Sequence, residues 1–136
     1  MDGTERVEHE GRVMALVIRK GVDVEGPRFF TPPEYAMQLG VMVHEAGSEI
    51  RPHVHKPAER TIRETHEMVR VDYGRVDVDF YTESGEKLKT LRLGEGDTVL
   101  FVSGGHGFRF PEKTKMTEIK QGPYAGPDAD KEILDV

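Results

Sequence analysis

The chain has 136 residues, of which 36% are hydrophobic and 32% charged, so one compact domain with a modest core is expected. Nineteen Lys and Arg against 25 Asp and Glu give a net charge of −6, without the basic stripe that phosphate backbones require. Cysteine is absent, which excludes disulfides, thiolate metal sites and cysteine nucleophiles. The longest apolar run, Met14 to Ile18, is far too short to cross a bilayer, and no signal peptide stands at the start. A cytosolic protein without nucleic-acid or membrane partners is the resulting expectation.

In chain order, residues 1–11 are polar and acidic and read as a flexible arm. Arg12 to Arg19 (RVMALVIR) is β-branched and apolar between two glycines, a strand pattern. Gly21 to Pro33 reads as loop, with Phe29 and Phe30 expected to pin it to the core. Tyr35 to His44 is expected as a strand, and Glu45 to Ser48 as a turn. Ile50 to His55 is extended, because Pro52 and Pro57 bias their preceding residues away from helix. Lys56 to Thr65 has no clear period.

From His66 the sequence alternates: Glu67, Val69 and Val71 fall on one face, Met68, Arg70 and Asp72 on the other. After Gly74 the alternation resumes, with Val76, Val78 and Phe80 against Asp77 and Asp79. The two runs are expected to form a hairpin or a tight turn between paired strands, with Arg70, Asp72, Arg75, Asp77 and Asp79 on a solvated face. Further strands are expected over Lys87 to Leu93, Thr98 to Val102, His106 to Phe110 and Met116 to Gln121, and residues 125–136 form a tail. The count is eight or nine short strands and no convincing helix. With turn signals about every 8–12 residues, this is the pattern of an antiparallel all-β sandwich or barrel.

Chemistry concentrates in the histidines. His53-Val54-His55 lies on an extended segment, where side chains two apart share a face. Glu67 shares its face with two valines, and a carboxylate turned inward needs a cation or several donors. His106 follows a Ser-Gly-Gly bend, and antiparallel strands can bring it opposite the first pair. Three imidazoles and one carboxylate, His53, His55, His106 and Glu67, suit iron, manganese, nickel, zinc or copper better than calcium or magnesium. His66 neighbours Glu67 on the opposite face and reads as a surface residue, becoming the rival ligand if the register slips by one. His44 reads as a rim or core histidine and His9 as solvated.

These residues also carry a resemblance. Gly47, five residues, His53-x-His55, then Glu67, six residues and Gly74, resembles the first cupin motif. Gly96-Asp97 followed by Gly104 and His106 resembles the second. The likeness spans 39–124. Eleven residues separate His55 from Glu67 where the family has three or four, so Lys56 to Glu64 reads as an inserted loop at the barrel mouth. The segment Glu118 to Tyr124 (EIKQGPY) is similar to a group of small single-domain cupins of unassigned activity.

The resemblance implies a single-domain jelly-roll barrel (double-stranded β-helix) binding one divalent transition metal (Fe, Mn, Ni, Zn or Cu) through His53, His55, Glu67 and His106. It implies oxygenation, isomerisation or lyase chemistry on a small polar molecule, with Glu67 as the candidate catalytic base. It also implies a homodimer, with Arg12 to Arg19 as the candidate for strand exchange. Glu118 and Lys120 share a strand face. They read either as an exposed ion pair or as a pocket wall supplying an acid/base and a carboxylate anchor. Arg51 and Tyr124 are further candidates for substrate contact, although loop arginines usually face solvent and the tyrosines read mostly as packing or rim residues. Two other classes stay open: a non-enzymatic ligand-binding or sensor protein, and a metal-free sugar-nucleotide epimerase or isomerase that moves protons with a His–Tyr pair.

Overall fold

The computed structural model describes residues 3–136, so Met1 and Asp2 of the expected arm lie outside the described residues. The strands are β1 (Thr4–His9), β2 (Arg12–Ile18), β3 (Gly26–Phe29), β4 (Gly40–Val43), β5 (Glu67–Tyr73), β6 (Arg75–Tyr81), β7 (Lys87–Gly94), β8 (Thr98–Phe101), β9 (Gly105–Arg109) and β10 (Lys115–Lys120). One short helix, α1 (Pro127–Asp130), follows. All pairings are antiparallel, as the alternation requires. No helix among the described residues is long and apolar enough to cross a membrane.

The chain divides into two compact units. One is Met1–Val22 with Thr65–Val136, and the other is Asp23–Glu64. The first unit holds a five-stranded sheet, β1-β2-β8-β5-β10, and a three-stranded sheet, β7-β6-β9. Neither closes on itself into a barrel. Their inner faces share one core: Val7, Met14, Ala15, Val17, Val69, Val71, Val99 and Phe101 from the larger sheet, Val76, Val78, Phe80 and Leu93 from the smaller. Fully burying a side chain such as Phe80, which is 1% exposed, stabilises the fold by about 1.5–3 kcal/mol.

Several expectations change. The arm is largely a strand: β1 pairs with β2 through a turn at Glu10 and Gly11, because Val7 has a core position to fill. β2, the candidate for exchange, is held on both sides within its own chain, by β1 and β8. β5 and β6 are not a hairpin. They belong to different sheets, and Gly74, at φ 88°, turns the chain from one to the other. A Cβ there would lie 2.5 Å from the Lys113 carbonyl oxygen, so only glycine fits.

Asp77 and Asp79 face away from the core as expected but are not solvated, being 9% and 4% exposed. Arg92 donates two hydrogen bonds to Asp77, at 2.7 and 2.9 Å, and Arg109 donates two to Asp79, at 2.6 and 2.9 Å. The guanidinium planes and stems cover the carboxylates from the flanking strands.

The second unit contains the antiparallel pair β3–β4. Only Gly40–Val43 of the expected Tyr35–His44 strand is regular, because Gln38 folds its amide onto the carbonyls of Pro32, Pro33 and Tyr35. Phe29 is 53% exposed within this unit, and Arg28 lies over the Phe30 ring.

Candidate functional site

Glu67 opens β5, and its alternation with Val69 and Val71 turns it to the inner face, where its side chain is 14% exposed. The register places it between Phe101 on β8 and Lys120 on β10. Glu118, two residues before Lys120, shares that face and is close enough to Glu67 for the two carboxyls to influence each other. From the facing sheet, β9 delivers His106, whose Nε2 lies 3.4 Å from Glu67 Oε1. The imidazole stacks on Phe101 with ring centroids 3.7 Å apart and planes 12° from parallel, and Phe108 meets it edge-on at 5.6 Å.

The bend before His106 is built for this delivery. Ser103 Oγ donates to the Val13 carbonyl at 2.6 Å, and Gly104 has φ 75°. A Cβ on Gly104 would lie 2.5 Å from Met14 Cε.

Glu67, Glu118, His106, Lys120, Tyr81 and Phe108 line a cavity of about 750 Å³, closed on one side by α1 and the residues after it. Small-molecule sites span about 300–1,000 Å³. Burial alone would push the Glu67 carboxyl up, but the contacts with His106 and Glu118 and the charge of Lys120 bring it below the usual glutamate range. Glu118 moves the other way: desolvation and the neighbouring Glu67 charge raise it. The two neighbouring carboxyls therefore shift in opposite directions, Glu67 down and Glu118 up. Lys120 is held above its usual value by a hydrogen bond to Asp130 and the carboxylates around it, against a smaller desolvation effect.

The other sequence-nominated residues are placed as follows. His53, His55 and Arg51 belong to the second unit and are exposed. The two imidazoles are neighbours, with centroids 5.3 Å apart, as a shared face predicts. His53 Nδ1 donates to the Arg51 carbonyl at 2.7 Å, which leaves Nε2 with a free lone pair in the neutral ring. Tyr124 is 58% exposed and lies 5.0 Å from the Lys120 ammonium. His66, expected at the surface, is 3% exposed, because its backbone is tied to Gln121 at the end of β10. His44 is exposed. Tyr81, read mostly as packing or rim, lines the cavity.

Sequence reasoning missed Asp130 and the residues after it. Nothing local marks them, since Asp130 meets Lys120 only through the fold.

Glu67 and His106 fit one side of a divalent ion. Nitrogen and oxygen ligands at about 2.0–2.2 Å from a metal lie roughly 3 Å from each other, close to the 3.4 Å observed. Among the described residues, no group of three or more His, Cys, Asp or Glu is gathered as a metal cluster. No protein-family model, curated protein or solved structure matches the chain.

Proposed function

We propose that the chain is a metal-dependent cupin of the jelly-roll type that acts on a small polar organic molecule. The observation that carries this reading is the convergence of Glu67 and His106 in a cavity that also presents Glu118 and Lys120. Glu67 and His106 would hold a divalent ion of the Fe, Mn, Ni, Zn or Cu class, together with His53 and His55, which the motif resemblance assigns. When bound, the ion supplies Lewis acidity toward a substrate carbonyl or carboxylate.

The remaining work falls to side chains. Phe101 and Phe108 fix the plane of His106. Glu118, whose carboxyl is raised, stands beside Glu67, whose carboxyl is lowered, an arrangement suited to passing a proton to and from a bound molecule. Lys120 supplies a positive charge on the same wall. Oxygenation, isomerisation and lyase chemistry all use such a set. The reading also makes the protein a cytosolic homodimer without nucleic-acid or membrane partners.

The test is metal analysis of protein purified without a nickel column. Stoichiometric metal is expected in the native chain and in His44→Ala, with loss in His53→Ala and His106→Ala. Full metal content in both of the latter would sink the ligand set. Tyr81 beside His106 in one cavity favours a second reading, a metal-free isomerase moving protons through that pair. Activity that survives exhaustive chelation would select it.

A further inference from the structure

Lys120 projects from a sheet into the cavity, yet its partner does not come from the sheet. Its Nζ is 3.2 Å from Asp130 Oδ2, and the two side chains are 24% and 14% exposed. Asp130 is the last residue of α1, which has four residues, buries none of them and lacks a side-chain N-cap. So short a helix is not stable by itself, since nucleation is costly and few bonds repay it. The cation is thus fixed in the β5–β10 ladder, and its counter-charge sits on a weakly held segment.

We infer that this site takes a small carboxylate, and that the ligand's carboxylate replaces Asp130 on Lys120. The inference rests on the reading of this cavity as a ligand site, and it does not require the metal. The Lys120–Asp130 contact and the charges around it support this by three arguments. The exchange swaps one carboxylate for another, so the charge around Lys120 is unchanged. A neutral ligand that displaced Asp130 would leave a half-buried ammonium without its partner, which is costly. A dianion such as a phosphate monoester would bring excess negative charge beside Glu67 and Glu118. Beside the charged Glu83, Lys131 and Glu132, the remaining wall offers Phe108, Tyr81 and Leu134 to a compact apolar or aromatic skeleton. Asp130 is therefore a resident competitor, and residues 126–136 open as the ligand enters.

Binding of phenylacetate and benzoate, and of their neutral amides, is measured by calorimetry on the full chain. Native protein, Asp130→Asn, Lys120→Met and Lys120→Arg are compared. Asp130→Asn is expected to bind at least one of the carboxylates about tenfold or more tightly than the native chain, with amide binding changed less than about twofold; tenfold corresponds to about 1.4 kcal/mol. Lys120→Met is expected to lose the preference for carboxylate over amide, and Lys120→Arg to keep it. The inference is overturned if Asp130→Asn gains nothing, if Lys120→Met keeps the preference, or if no variant binds either carboxylate. Lys120→Arg covers the case in which Lys120→Met fails to fold, since a lost preference there also counts against the inference. Metal content of the same preparations separates the two readings. Metal-free native protein with the carboxylate preference removes the metal and leaves this inference standing, and metal-loaded protein without the preference does the reverse.

Discussion

Glu67 and Lys120 are register partners across the β5–β10 ladder, yet each directs its charge elsewhere: Glu67 to His106 at 3.4 Å, Lys120 to Asp130 at 3.2 Å. Opposite charges facing across a ladder ordinarily pair with each other. Here the second partners come from β9 and α1, so the ladder presents an anion and a cation separately to one cavity. Such a wall can orient a polar ligand from both ends.

The stack of His106 on Phe101 holds the imidazole in one plane. Phe101→Leu is expected to cost about 1 kcal/mol, as a shape change in a packed core does. It should also weaken metal binding by about tenfold, the lower end for loss of an outer-shell support. Competition with a chromogenic chelator measures the second effect. Unchanged metal affinity would mean that the ring does not position a ligand.

Gly74 turns the chain between sheets with a left-handed backbone and no room for a Cβ. Gly74→Ala is expected to destabilise the protein by about 2 kcal/mol or more, from the strained φ and displacement of the Lys113–Thr114 backbone. Urea denaturation followed by circular dichroism reads this directly. A loss below about 0.5 kcal/mol, the range of ordinary surface changes, would contradict the tight crossing.

Gly105 makes room for the C-terminal segment. A Cβ there would lie 2.8 Å from Leu134 Cδ1, the far end of a flexible side chain, and 3.3 Å from Tyr81 Cβ. Gly105→Ala is therefore expected to keep the fold and loosen residues 131–136. Faster amide hydrogen exchange in that segment, with the sheets unchanged, is the predicted signature. Equal exchange in both proteins would show that the segment does not rest on Gly105.

Asp79 gives the fold a defined acid dependence. The hydrogen bonds from Arg109 outweigh desolvation, and those from Thr90 and Lys87 add to them, so its carboxyl titrates well below the usual aspartate range. A depressed folded value contributes stability above the unfolded pKa of about 3.9, and that contribution is lost as pH falls below it. Asp79→Asn is expected to cost about 1–2 kcal/mol at pH 7, the scale of hydrogen bonds to a charged group, discounted because the partner guanidinium of Arg109 is exposed. The gap between native and variant urea midpoints should narrow toward pH 2. A gap that stays constant with pH would assign the effect to packing.

The strands were legible where period-two alternation is strong. Val69 and Val71 placed Glu67 on the inner face, and both valines are almost fully buried. The His53–His55 proximity and the bend before His106 were legible for the same reason, since both depend only on neighbours along the chain.

Pairing was not legible in this way. Alternation says which face a side chain takes, not which strand lies beside it, so Gly74 looked like a hairpin although it joins two sheets. Asp77 and Asp79 looked solvated because arginines from β7 and β9 cover them only once those strands flank β6. Glu118 and Lys120 were undecided between surface and pocket until β10 settled against β5 and brought them to Glu67. The sequence by itself determined the strands marked by alternation or a β-branched run, and their inward faces, which follow from local backbone geometry. β1, read as an arm, and β3, read as loop, took their partners β2 and β4 to become strands. The tertiary structure alone decided the cavity, the meeting of Glu67 with His106 and the Asp130 contact, because these arise from segments distant in sequence whose approach no local pattern encodes.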